Sequence, residues 1–243
     1  MTFHCSDRSL ELDEPLPATA PFAPQWELVE REKPWGPDHG LSRPDAKVLL
    51  VRRPTNALRQ SVTRQEGRRY LVCTNGARDP CCARLGAGVA EALERARPGQ
   101  AYECSHLGGH RFAANLLVLP DGLCFGRLDV RSALALVEDL DAGRLPLEHF
   151  RGRSSYAPEQ QAAEILVRRE LGLSGLDDLR LANQVSGSEP QSRAVTFELA
   201  DGRLVTASLR AELLPPRRVS CRDEKLETPT KWTLVALAQS SPR

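Results

Sequence analysis

At 243 residues, with 41% hydrophobic and 27% charged side chains, the chain is long enough for one substantial core or two modest ones. Its 33 Lys and Arg against 32 Asp and Glu give a formal net charge of +1, so no global field draws it to nucleic acid or an anionic membrane, and neither is an expected partner. No stretch approaches the roughly 20 apolar residues of a membrane span, and the acidic opening MTFHCSDRSLELDEPLP lacks the basic start and apolar run of a signal peptide. Membrane insertion is therefore not expected, and the cytoplasm is the expected compartment.

Residues 1–45 are proline-rich and nearly aperiodic, with one short strand expected at 26–30. Such a segment orders only by packing on something else, so it reads as an extended N-terminal arm that wraps the rest. From residue 46 the pattern changes. KVLLVRR and RYLVC (69–73) are apolar strand candidates, and ARLGAGVAEALERA (83–96) has helical periodicity and strong helix formers. AYECS (101–105) reads as another strand. NLLVLPDGLCFGRL (115–128) reads as a hairpin turning at Pro120, Asp121 and Gly122, after which Asp129 caps a helix to about Leu140. The order strand, strand, helix, strand, hairpin, helix over residues 46–150 fits an α/β domain compatible with a thioredoxin-like sandwich.

RGRSSYAP (151–158) reads as a linker ending where Pro158 opens a helix, EQQAAEILVRREL. RAVTFELADGRLVTASLRAEL contains two alternating strands joined around Asp201 and Gly202, and WTLVALAQ adds a last strand. Residues 155–243 are thus expected to form a smaller C-terminal α+β unit. There is no internal repeat, which excludes a solenoid.

The seven cysteines are odd in number and bunched in mid-chain, unlike a secreted disulfide framework. Cys104 and Cys124 sit in apolar runs and read as small buried hydrophobes. Cys5 and Cys221 are far away in sequence and read as background, as do His4, His39 and His149. The chemistry concentrates in CTNGARDPCCA (73–83) and CSHLGGHRFAAN (104–115), where Cys73 and Cys82 form C-x8-C and His106 and His110 form H-x3-H. Asp79 followed by Pro80 is an N-cap followed by proline at the first helical position, which puts Cys81 and Cys82 in a first helical turn, where thiolates are favoured. Gly108 and Gly109 argue against a helical histidine pair, since two glycines cost about 2 kcal/mol in a helix. They predict a tight loop with positive φ that points both imidazoles at one metal. Thiolate with imidazole suits iron or zinc rather than magnesium or calcium.

CTNGARDPCCA followed by HLGGHRFAANLLVLPDGLCFG resembles the sucrase/ferredoxin-like family. That family's C-x-x-G-x-R-D-x-x-C and H-x-G-G-H-[KR]-[FY]-A-x-N motifs lie on a thioredoxin-like ferredoxin domain. The likeness is strong over 47–128 and weaker at WELVEREKPWG and in the C-terminal unit. It implies a 2Fe-2S cluster held by Cys73, Cys82, His106 and His110, with Cys82 at the family's last motif cysteine and Cys81 as the alternative ligand. Thr74, Asn75, Arg78, Arg111 and Asn115 would then stand around the cluster as supporting residues, Asp79 acting as a helix cap.

Two thiolates and two neutral imidazoles would bring an oxidised cluster to zero charge, raising its potential above that of a four-thiolate ferredoxin. An exposed imidazole N–H would make that potential depend on pH. The implied function is one-electron transfer, as carrier or redox sensor rather than as an enzyme with its own substrate. The donor or acceptor would be a separate protein, since no flavin or nicotinamide signature is present. Three other readings use the same residues or region: a structural zinc site, a thiol oxidoreductase using Cys81 or Cys82, and a metal-free interaction module in the C-terminal unit. Nothing in the sequence pairs two carboxylates for glycoside hydrolysis, and nothing assigns an oligomeric state.

Overall fold

A computed structural model of the chain describes residues 27–31, 48–52, 67–76, 79–104, 107–186, 191–221 and 224–240. Most of the expected N-terminal arm lies outside the described residues, as do His4, Cys5 and His39. Two compact units emerge from the contacts. Among the described residues, the first lies within Pro21–Ala135 and Arg218–Lys225, and the second within Leu136–Arg217 and Leu226–Arg243. The division falls upstream of the stretch read as a linker, and a short C-terminal segment belongs with the first unit.

In the first unit, β1 (Glu27–Arg31) and β2 (Val48–Arg52) form an antiparallel pair with Val29 opposite Leu50. The remaining strands are β3 (Arg69–Cys73), β4 (Ala101–Cys104), β5 (Leu116–Leu119) and β6 (Leu123–Phe125), lying side by side in the order β4-β3-β5-β6. β3 and β4 are parallel and joined through helix α1 (Pro80–Ala96), whereas β5 runs antiparallel to both β3 and β6. Every residue of β3 and β5 is buried, as the apolar runs Tyr70–Cys73 and Leu116–Leu119 require of central strands covered on both faces. The turn between β5 and β6 holds Gly122 at φ 68°, so the predicted hairpin is present.

α1 buries Cys82, Gly86, Val89, Ala90 and Leu93, one stripe at helical spacing. Gly86 is the point of closest approach to β3, because a Cβ there would stand 2.3 Å from the Cys73 carbonyl oxygen. Glycine lowers helix propensity by about 1 kcal/mol relative to alanine, so the position is retained for packing. Gly86→Ala is expected to lower stability by about 1–3 kcal/mol despite the better helix former. A urea melt in which the variant gains stability would show that the helix moves away freely.

Helix α2 (Val130–Asp141) begins as predicted. The Asp129 carboxylate accepts the Ser132 N–H at 2.7 Å while the Ser132 hydroxyl accepts the Asp129 N–H at 2.9 Å, a reciprocal cap that satisfies otherwise unpaired donors.

In the second unit, β7 (Phe150–Arg153) replaces the expected linker. Helix α3 (Pro158–Leu171) starts on Pro158 and ends at Gly172 with φ 67°. Strands β8 (Leu179–Ser186), β9 (Ser192–Leu199), β10 (Leu204–Leu213) and β13 (Thr230–Ser240) form an antiparallel sheet ordered β13-β10-β9-β8. The two-residue strands β11 (Arg217–Arg218) and β12 (Leu226–Glu227) pair separately. The alternation read from sequence is realised: Val195, Phe197, Val205 and Ala207 are fully buried, with Phe197 opposite Val205 and Val195 opposite Ala207.

α3 also buries charge. Glu164 accepts from Arg153 Nε and Arg168 Nε, each at 3.1 Å, and all three side chains are no more than 2% exposed. The guanidiniums also donate to the Gly175 and Leu176 carbonyls. This explains why RGR was read as a linker. A charged strand becomes tolerable only through a partner 11 residues away, which no local pattern announces. Among the described residues no helix is long and apolar enough to cross a membrane.

Candidate metal centre

β3 delivers Cys73 to the end of the sheet, and α1 starts a few residues later beneath it. Asp79 adopts an extended φ of −152° and its carboxylate accepts the Cys81 N–H at 2.9 Å, with Pro80 next, where a missing N–H costs nothing. Successive helical residues are turned by about 100°, so adjacent cysteines part company. Cys82 is 0% exposed and packs in a cluster with Cys73, Cys104, Leu107 and Cys124. Cys81 is half-buried and forms a disulfide with Cys221. The structure thus brings Cys82, and not the alternative Cys81, to Cys73.

Both glycines of the histidine loop take positive φ, Gly108 at 73° and Gly109 at 66°. Both conformations are left-handed and open to glycine at little cost. The chain then makes a 3-10 turn over His110–Phe112, which the sequence did not suggest. His110 is buried, and its Nδ1 lies 3.2 Å from Cys82 Sγ. His106 and Arg78 lie outside the described residues.

The other supporting residues have identifiable work. Asn115 Nδ2 donates to the Gly109 carbonyl at 3.1 Å, fixing the loop. The fully buried Thr74 hydroxyl donates to Glu103 at 2.7 Å. Arg111 is exposed, stacks on Phe112 at 4.6 Å, and donates its backbone N–H to Val219 at 3.2 Å. The Asn75 carbonyl accepts the Asp79 N–H at 3.1 Å.

Cys73 and Cys82 share one hydrogen bond, and it splits their titration. The hydrogen bond from Cys82 lowers the Cys73 pKa to about 7, against burial and with help from the backbone N–H groups of Asn75 and Leu107. The same bond, with burial, raises that of Cys82. The pair therefore gives up one proton around pH 7 and keeps the second to higher pH. A folded-state pKa below the ordinary 9.0 means the Cys73 contribution to stability is full above 9.0 and is lost as pH falls through about 7. In metal-free protein, ultraviolet thiolate absorbance is expected to rise by one thiolate around pH 7, and Cys82→Ala is expected to move that step upward. An unshifted step would mean that the pair does not share a proton.

Asp79 is more heavily used than a cap. Burial raises its pKa, but hydrogen bonds from the Ser220 hydroxyl and from the N–H groups of Cys81 and Cys221 outweigh this and hold it below the ordinary value. Ser220 Oγ stands 2.6 Å from Asp79 Oδ2, and Cys221 N 3.1 Å from the same oxygen. Asp79, Cys81 and Cys221 place ligand-type atoms within 4.8 Å of one another. The sequence gives no signal for Ser220, and the background reading of Cys221 is corrected by its bond to Cys81; both lie in a polar strip with no periodicity. Cys104 and Cys124 are buried at 5% and 4% exposure, as expected of small core residues.

The site is thus a buried thiol pair with an imidazole against it, set at the end of a mixed sheet. A family model described as Suc_Fer-like, sucrase/ferredoxin-like, matches residues 11–152, more than half of the chain. The chain belongs to the sucrase/ferredoxin-like family. Comparison with curated proteins and with solved structures finds no match.

Proposed function

We propose that Cys73, Cys82 and His110, together with His106, hold a 2Fe-2S cluster on a thioredoxin-like domain, and that the protein exchanges single electrons with another protein in the cytoplasm. The observation that carries this reading is the convergence of three donor groups from separate elements. Cys73 at the end of β3 faces Cys82 in the first turn of α1, and His110 Nδ1 lies 3.2 Å from Cys82 Sγ. The β4-β3-β5-β6 order, with one parallel crossover and an antiparallel hairpin, supports the thioredoxin-like assignment.

The donor set fits the group. Thiolate sulfur with imidazole nitrogen suits iron–sulfur or zinc centres, and a Cys73 thiol lowered to about 7 deprotonates readily for a metal. A bound 2Fe-2S cluster supplies one-electron redox chemistry. The chain's own part is to bind and insulate. Cys73 and Cys82 are 1% and 0% exposed, which excludes water from the sulfurs. The Asn75 and Leu107 N–H groups donate to the Cys73 sulfur and offset its charge, and Asn115 holds the loop that carries His110. Hydrogen bonds to sulfur and burial are the protein's levers on potential.

The test is anaerobic purification followed by absorption spectroscopy and electron paramagnetic resonance of the dithionite-reduced protein, with iron, sulfide and zinc assayed together. About two irons and two sulfides per chain with a reduced paramagnetic signal are expected. One zinc and no colour would replace this reading with a structural site. No metal would shift it to thiol chemistry.

A further inference from the structure

The segment Arg218–Lys225 belongs to the first unit although it lies far from it in sequence. Its described residues are exposed or half-buried and contribute no buried apolar side chain. Its fastenings are polar and covalent. The Val219 carbonyl accepts the Arg111 N–H, Ser220 and Cys221 donate to Asp79, and Cys221 is bonded to Cys81 across 140 residues. These attachments converge beside the Cys82–His110 end of the centre. Arg111 comes directly after His110, Asp79 caps the turn that carries Cys82, and Cys81 precedes it.

We propose that Cys81 and Cys221 form a reversible thiol–disulfide exchange site, with a dithiol as co-reactant, whose closed form latches residues 218–221 onto the capped end of α1. The inference rests on the position of the centre and not on what the centre holds. Cys221 is exposed and Cys81 half-buried, so an external thiol reaches the bond. Accessible disulfides are the labile ones.

In the exchange, a thiolate of the dithiol attacks Cys221 Sγ, forming a mixed disulfide and releasing Cys81, which takes a proton. The second thiol of the reductant then displaces Cys221, which also takes a proton. Two electrons and two protons have passed to the pair, and the dithiol has become a disulfide. The opened Cys221 thiol has an acceptor in place, since its sulfur lies 2.6 Å from Asp79 Oδ1. With the covalent tie gone, the segment is held more loosely, through hydrogen bonds to Arg111 and Asp79, and the Cys82–His110 side becomes accessible to a partner.

The test uses the full chain equilibrated across ratios of reduced to oxidised dithiothreitol. Samples are quenched in acid, alkylated and mapped by peptide mass, with hydrogen exchange tracked in parallel. The peptide carrying Cys81 and Cys82 is expected to be linked to the Cys221 peptide under oxidising conditions and free under reducing ones, over repeated cycles. The Arg111 and Cys221 amides are expected to exchange at least about tenfold faster when the pair is reduced. Cys221→Ser and, independently, Cys81→Ser are expected to exchange like the reduced protein in every buffer.

The proposal is overturned if the two peptides never link, or if they link and the Arg111 amide exchanges equally in both states. It is also overturned if reduced protein retains stoichiometric added zinc that protects both thiols from alkylation, which would make Asp79, Cys81 and Cys221 a metal site. Iron and sulfide assayed in the same samples read the neighbouring centre separately, so either reading can fail alone.

Discussion

Cys82→Ser is expected to strip the centre, lowering bound iron and sulfide at least about tenfold, whereas Cys81→Ser leaves both unchanged. The two residues are neighbours on one helical turn, and a motif reading would treat them as interchangeable. Their surroundings differ. Cys82 is 0% exposed and in contact with both Cys73 and His110, while Cys81 is tied to Cys221. A serine hydroxyl keeps the shape of the side chain but supplies a hard, weakly acidic donor where a soft thiolate is needed. Metal content per chain and the visible spectrum measure the outcome, with circular dichroism as the folding control. Equal losses in the two variants would mean that the turn as a whole matters and Cys82 has no special role.

Glu164→Gln is expected to have the largest effect on stability, about 3–5 kcal/mol. The wild-type group is two guanidiniums on one carboxylate, all buried, with Glu164 Oε1 accepting from both at 3.1 Å. Removing the only anion of this trio leaves two buried cations facing each other, and neither can lose its proton at ordinary pH. Burial already lowers the Arg168 pKa, with Glu164 opposing the shift, so the carboxylate is what keeps that cation tolerable. The glutamine keeps size and one acceptor, which isolates charge from packing. A urea titration should show the midpoint falling by at least about 1 M. A change below about 0.5 kcal/mol would place the variant among ordinary surface substitutions and mean that the trio does not hold α3 to β7.

Much of the fold was legible because local signals agreed with tertiary need. RYLVC is β3 to the residue, the Pro120-Asp121-Gly122 turn joins β5 and β6, and Asp129 and Pro158 open α2 and α3. At the site, Asp79 as a cap and positive φ at Gly108 or Gly109 were read from residue chemistry alone, and the structure has it at both. The features that escaped depend on distant partners. β7 is a strand whose Arg153 is neutralised from α3, and β8 (LRLANQVS) has too little alternation to stand out. Cys221 joins the site only because the chain returns after 140 residues. The 3-10 turn at His110 was hidden because two glycines announce a break in regular structure without specifying the conformation of the next residues.

The outer strand of the second unit's sheet has a bearing on how the protein behaves in concentrated solution. β13 closes one end of the order β13-β10-β9-β8, and no described strand pairs with its far side. Its stretch WTLVALA, residues 232–238, carries no charge, proline or glycine, and Val235 is 55% exposed. An uncharged run of that kind on a free margin is a template for cross-β stacking. Lys231 is the single charged residue of the strand, and one gatekeeper at one end leaves most of its length open. Self-association under crowding is therefore expected to begin along this strand, which carries none of the cysteines that dominate the chemistry.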